Sequence, residues 1–144
     1  MIKKHIEHMH WANAAAINWV RSEGGNSGEY VRLISHILNA EKVWISRAQN
    51  LEGDRDTFKV HSIPDMVAIN DSNNRHLGML LQTDMAKEVD YKLFDGTPGR
   101  SSIEDMILHV FSHGFHHMGQ MAAIAARSGR KFPNVSYIGF TRRT

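Results

Sequence analysis

Residues 109–129 read HVFSHGFHHMGQMAAIAARSG, and this stretch decides how the rest of the chain is interpreted. It overlaps an uncharged run of 21 residues, from 106 to 126, which is about the length that spans a bilayer. Four histidines, one glutamine, one serine and two glycines make this run far too polar for a lipid-facing helix. The run therefore predicts a buried or active-site helix, which ends at Ser128-Gly129.

The histidines of this helix fall on two of its sides when successive residues are placed about 100° apart. His113 and His117 lie within the apolar stripe, one turn apart on the same face. His109, His116 and Gln120 lie together on the polar flank. Burying two imidazoles costs free energy unless their nitrogens have partners, and an i, i+4 histidine pair is a common metal-binding arrangement. The spacing predicts either a metal site or two hydrogen-bonded structural histidines.

A metal site would need a further ligand from another helix, because two imidazoles hold a divalent ion poorly. His36 is the candidate, since it lies at the edge of the apolar stripe of the second predicted helix. Glu41 lies in the middle of that stripe, where its carboxylate is a fourth ligand, a partner of a ligand or half of a structural ion pair. Asn13 lies in the stripe of the first predicted helix and is interpreted as a hydrogen-bonded core amide.

Three further segments repeat apolar residues with helical periodicity, which makes four predicted helices of about 20 residues each. Within residues 87–100, apolar and polar side chains first alternate, and glycines and a proline then indicate turns. These signals predict a long extended crossover between the third and fourth helices, with room for a short strand. This pattern predicts an all-α fold, a four-helix bundle forming one domain over residues 1–144. The helix boundaries are marked by glycines and capping residues: Gly24-Gly25, Asn26-Ser27-Gly28-Glu29, Ser62, Ser101 or Ser102, and Ser128-Gly129.

Composition excludes several classes of function. The 144 residues are 42% hydrophobic and 22% charged, as in an ordinary globular domain. The absence of cysteine excludes disulfides, thiolate ligands and cysteine nucleophiles. A net charge of only +2, without a helix-turn-helix pattern, argues against a nucleic-acid partner. The N-terminus has no apolar stretch of signal-peptide length, so we expect a cytoplasmic protein without a membrane partner.

Charge is distributed unevenly along the chain. Up to Asp105 there are twelve basic and fifteen acidic residues, a net charge of −3, whereas the remainder has five basic residues and no acidic ones. One interpretation places anionic ligands near the C-terminal third. The other is a solvated basic tail, with Arg142 and Arg143, that binds nothing specific.

The sequence at residues 109–129 resembles the last core helix of the DinB/YfiT-like superfamily. SHILNAEKVWISR, residues 35–47, is similar to the helix-two signature of that family, and HWAN, residues 10–13, to its usual start of helix one. The resemblance implies a four-helix bundle in which His36, His113 and His117 bind a divalent metal ion. Zinc and nickel are the expected ions, and iron and copper also suit a site made only of imidazoles.

The resemblance also implies a range of activities. Characterised proteins that resemble this family include S-transferases and isomerases that use low-molecular-weight thiols, and metal-dependent hydrolases. Three imidazoles leave a divalent ion its full charge and an open position. We therefore expect a metalloenzyme for thiol-dependent S-transfer or hydrolysis on a small molecule, with Glu41, His116 or His109 as proton shuttles. The alternative is a non-catalytic, stress-related protein that binds a metal ion or a small molecule.

Two further expectations concern the substrate and the assembly. The family frequently has His-His-Arg-Gly-Gln where residues 116–120 read HHMGQ, so Met118 replaces an arginine. If that arginine contacts an anionic group in relatives, this chain lacks the contact. Proteins of the family are often homodimers, and several aromatic residues could supply an interface here: Trp11, Trp19, Trp44 and residues 137–140.

Overall fold

The computed structural model describes residues 1–24 and 28–143, and most of these residues are helical. The described elements are α1 (Ile2–Trp19), a π-helical segment (Val20–Gly24), α2 (Gly28–Ala48), α3 (Ile63–Leu80), β1 (Glu88–Lys92), β2 (Pro98–Ser102), α4 (Ile103–Arg127) and α5 (Tyr137–Thr141). The predicted helical character is confirmed. The predicted boundary residues Gly25, Asn26 and Ser27 lie outside the described residues.

The four long helices bury their apolar faces against one another. α1 packs mainly against α3, and α2 packs mainly against α4 and also contacts α3. Two clusters of buried side chains result, one including Ile34, Leu38 and Met121 and the other including Leu77 and Val110. The contact between α2 and α4 positions the site, because it brings the histidine of α2 next to those of α4.

Both ends of α4 follow the sequence signals. Ser102 Oγ accepts a hydrogen bond from the main-chain N–H of Asp105 at 3.0 Å, which satisfies one of the free donors of the first turn. Two carboxylates in that turn interact favourably with the helix dipole. Gly129, just beyond the helix, adopts a φ of +71°, a conformation that glycine takes without strain.

Among the described residues, no helix is both long and apolar enough to cross a membrane.

Replacing Ser102 with alanine is expected to lower the free energy of unfolding by about 1 kcal/mol, because the N–H of Asp105 then loses its partner. Urea denaturation followed by circular dichroism measures this loss. Ser112→Ala on the same helix is the matched control, since the Ser112 hydroxyl is exposed and donates only to the carbonyl of His109. Equal effects of the two substitutions would contradict the capping role of Ser102.

The connection between α3 and α4 is not the predicted extended crossover. β1 and β2 form an antiparallel hairpin with register Glu88↔Ser102 to Lys92↔Pro98, so the extended region reaches Ser102 and not Arg100. The chain folds back on itself at Gly96, which has a φ of +88°. The alternation of residues 89–93 therefore indicates a strand correctly. The turn after it leads into a second, paired strand and not into a crossover.

The C-terminal segment forms α5, which the sequence analysis did not predict. Phe140 is only 1% exposed, and its ring lies 5.3 Å from that of His8 and 5.6 Å from that of Trp11 on α1. Trp19 is also buried inside the chain. Of the aromatic residues proposed for a dimer interface, Phe140 and Trp19 are thus occupied by intrachain packing, and the homodimer stays a prediction.

Candidate metal centre

The three predicted metal ligands meet where α2 contacts α4. One ring nitrogen from each of His36, His113 and His117 lies within 4.8 Å of the others. The Nε2 atoms of His113 and His117 are 3.2 Å apart, and the centroid of the His36 ring lies 5.0 and 4.8 Å from theirs. All three side chains are partly buried. Three nitrogens converging at this distance form a group that could hold one ion.

Hydrogen bonds on the outer side orient two of these rings. His36 Nδ1 lies 2.9 Å from the main-chain oxygen of Thr57, and His117 Nδ1 lies 2.7 Å from Oε1 of Gln120. Because both acceptors are carbonyl oxygens, we assign the ring hydrogen to Nδ1 in each case. Nε2 then carries a lone pair and no hydrogen in both rings, and this arrangement is typical of histidines that bind metal ions.

The protonation state of the α4 histidines also fits a metal ion. Burial, together with the charges of His117 and His36, lowers the pKa of His113 to about 4. Burial likewise lowers the pKa of His117, although its bond to Gln120 opposes the shift. Both rings are therefore neutral at pH 7, the form in which an imidazole binds a metal ion. The cluster fits a divalent ion in the number of its imidazoles, in the tautomers of His36 and His117 and in the neutral form of His113 and His117.

The two other histidines of α4 lie beside the cluster. The exposed ring of His116 lies 5.1 Å from that of His117 and forms no hydrogen bond within the described residues. The ring of His109 lies 5.9 Å from that of His113 and, on its other side, 4.9 Å from Trp44. Both residues are exposed and can contact a molecule bound near the cluster.

Glu41, by contrast, is not brought to the histidines. Its carboxylate is 2% exposed, with Oε2 accepting from Nδ2 of Asn13 at 2.8 Å and Oε1 accepting from Nδ2 of Asn73 at 3.4 Å. Asn13 also donates to Asn70, so amides of α1 and α3 surround the carboxylate from α2. No cation pairs with Glu41 among the described residues, so the ion-pair alternative is not seen there. The structure places Glu41 in an interhelical polar network.

Two contacts of the cluster were missed by the sequence analysis. Thr57 supports His36 through its main-chain oxygen, and Phe58 stacks on the His36 ring with centroids 4.5 Å apart and planes 6° from parallel. Both belong to the loop between α2 and α3. A main-chain oxygen is present at every position, so no residue type could have indicated the contact of Thr57.

The fold and this cluster together define a class of protein: a mostly helical chain in which two facing helices present three histidines that could hold a metal ion. The chain belongs to the DinB family, whose family model matches residues 18–144. The resemblance seen in the sequence is thereby confirmed. The match begins after residues 10–13, so the similarity of HWAN to the family stays a prediction. No curated protein matches the chain with significant similarity.

Proposed function

We propose that this protein binds a divalent metal ion through His36, His113 and His117, and that the loaded protein catalyses thiol-dependent S-transfer or hydrolysis on a small molecule. The observation that carries the proposal is the convergence of three imidazole nitrogens within 4.8 Å, from two helices of a DinB-family chain. The packing of α1 on α3 and of α2 on α3 and α4 supports the family's four-helix bundle as the scaffold.

The number of protein ligands favours catalysis over a purely structural role. A structural site is usually closed by a fourth protein ligand, whereas a catalytic site keeps a position for the substrate. Within the described residues, no other histidine and no carboxylate joins the cluster, and Glu41 is bound to Asn13 and Asn73 instead. An ion held in this way would supply Lewis acidity toward a thiol, water or carbonyl group.

The surrounding residues of this chain have separate tasks in the proposed reaction. The Thr57 carbonyl and Gln120 hold His36 and His117 in the orientation that the ion requires. The ring of Phe58 covers one face of His36 and excludes water from it. His116 is exposed beside His117 and has no hydrogen-bond partner within the described residues, so we assign it the role of proton shuttle in the proposed reaction. The thiol must arrive with a substrate, because the chain has no cysteine.

Metal analysis of protein purified without a polyhistidine tag tests the first part of the proposal. We expect one divalent ion per chain, zinc or nickel first, and protein that takes up none of zinc, nickel, iron and copper would overturn it. The second part is tested by screening the loaded protein with low-molecular-weight thiols and an aryl halide, and with ester and amide substrates. Turnover that is lost after chelation supports the enzyme, whereas stoichiometric metal without turnover favours the alternative of a non-catalytic binding protein.

Removing the ion is expected to lower the melting temperature without unfolding the chain. Two buried apolar clusters hold the helices together independently of the histidines. At a free metal concentration of 100 Kd, bound metal adds about 2.7 kcal/mol, which corresponds to a shift of about 5–10 °C for a chain of this length. Calorimetry before and after chelation measures the shift. Loss of the helical circular-dichroism signal on chelation at 25 °C would contradict this prediction.

A further inference from the structure

A cavity lies outside the metal centre. It has a volume of about 530 Å³ and is formed by the last turns of α2, the loop of residues 50–55 and the hairpin around residues 90–94. This is the size of a pocket for a small molecule. None of the three clustered histidines lines it. Its ligand must therefore be inferred from its own residues.

Two arginines line this cavity, and both lie over the ring of Phe94. The guanidinium carbon of Arg47 is 5.1 Å from the ring centroid, and that of Arg55 is 5.0 Å from it. Each donates one hydrogen bond to a main-chain oxygen, Arg47 to Lys92 at 3.2 Å and Arg55 to Phe94 at 2.6 Å. A guanidinium has five N–H donors, so most of the donors of both residues have no partner within the described part of the chain.

The acidic residues of the cavity do not neutralise these arginines. Within the described residues, neither guanidinium forms an ion pair with a carboxylate. Asp90 lies 3.6 Å from Arg100 on the hairpin, and Asp54 accepts a hydrogen bond from a main-chain N–H of its own loop. The third acidic residue, Glu52, is exposed. Three carboxylates and Lys92 thus also line the cavity, but Arg47 and Arg55 share the ring of Phe94 and neither is paired with a carboxylate.

We propose that this cavity binds the oxyanion group, a carboxylate or a phosphate, of a small molecule whose apolar part packs on Phe94 and Leu51. The planar forks of Arg47 and Arg55 match the two-oxygen geometry of such a group. An anion between them would also remove their mutual repulsion. Burial, and the positive charge of Arg55, already lower the pKa of Arg47 from its ordinary value.

The cavity is separated from the metal centre along α2. Arg47 follows His36 by eleven residues, which is about 16 Å along a helix. The guanidinium of Arg47 lies 4.5 Å from the ring of Trp44, and that ring lies 4.9 Å from His109. Anion binding in this cavity requires no metal ion, so it is tested separately from the proposed reaction.

Titration with inorganic phosphate, acetate and phenylacetate, followed by amide shifts in two-dimensional NMR spectra, tests the proposal. We expect saturable shifts at Arg55 and Phe94 and tighter binding of phenylacetate than of acetate, because only the former covers the apolar wall. Benzyl alcohol, which has the ring but no charge, should produce no saturable shift at Arg55. Saturation by phosphate alone or by the carboxylates alone would identify the oxyanion, and either outcome supports the site.

Arg55→Gln is expected to weaken binding of the preferred anion by about tenfold or more, the loss of one charge-assisted hydrogen bond. The side chain is exposed on a loop, so the substitution leaves the fold intact. Arg75→Gln, at an exposed position of α3, removes the same charge elsewhere and should leave the affinity unchanged. The proposal is overturned if no probe binds saturably, or if the two variants bind with the affinity of the unmodified protein.

Discussion

Alanine in place of His113 or His117 is expected to remove most of the bound metal ion, and alanine in place of His36 should do the same although it lies on another helix. Each substitution removes one of the three nitrogens that lie within 4.8 Å of one another. The ion then loses one of its direct bonds and the geometry that three ligands impose. The loss of metal affinity should exceed the decrease of about 10–100-fold that is expected when a hydrogen-bond partner of a ligand is removed. The metal-to-protein ratio after dialysis measures it.

Neighbouring histidines of the same helix provide matched controls. His116→Ala should keep stoichiometric metal, with at most the about 10–100-fold loss of affinity expected for a residue next to a ligand. His109→Ala should change the metal content least, because the His109 ring contacts Trp44 as well as His113. Circular dichroism verifies that every variant is folded. A His116 variant without metal, beside a His113 variant that retains it, would show that another face of α4 carries the site.

The ionisation of Glu41 is expected to lower the free energy of unfolding by about 3 kcal/mol as the pH rises from 4.5 to 7. Burial raises the pKa of Glu41 to about 7 in the folded protein, against 4.5 for the free side chain. Between these values the folded state binds more protons than the unfolded state, so stability falls with rising pH. Each pH unit in this interval contributes about 1.4 kcal/mol. The contribution of Glu41 levels off about one pH unit above its pKa in the folded protein.

Glu41→Gln isolates this effect, because an amide does not titrate. The histidines with lowered pKa values destabilise the folded state as the pH falls below 6.5, but they do so equally in both proteins. The difference between the two free energies of unfolding should therefore carry the pH dependence of Glu41 alone. Urea titrations from pH 4.5 to 8 measure it, and Glu7→Gln at an exposed position of α1 is the control. Parallel curves for the Glu41 variant and the unmodified protein would refute the prediction.

The part of the site that could be predicted from the sequence is the part that depends on local spacing. The pair His113 and His117 follows from helical periodicity, and the start of α4 at Ser102 follows from capping chemistry. His36 lies at the edge of its stripe, so the sequence indicated it only as a candidate third ligand, and the resemblance to the family implied the full set of three. The geometry now brings it within 5.0 Å of both other rings, measured between centroids.

Elements that depend on distant contacts could not be predicted in this way. α5 has only five residues, too few for a periodic signal, and it is stabilised by burying Phe140 against α1. In the hairpin, the alternation and the turn were indicated by the sequence, but the pairing of Pro98–Ser102 with Glu88–Lys92 as a second strand was not. One interpretation of the charge distribution placed anions near the C-terminal third, whereas the cavity that we propose for an oxyanion, with Arg47 and Arg55, lies in the part with a net negative charge. Total charge does not show which side chains lack a partner.

The contact between His36 and the Thr57 carbonyl has a consequence for how this chain can vary over evolution. The oxygen belongs to the backbone, so many side chains at position 57 would support the histidine equally well, and the position is free to drift. The length of the loop is not free in the same way. An insertion or deletion between α2 and Thr57 would move the carbonyl away from Nδ1, even if every histidine were kept. Homologues that share the ligands should thus tolerate varied residues at this position but little variation in spacing.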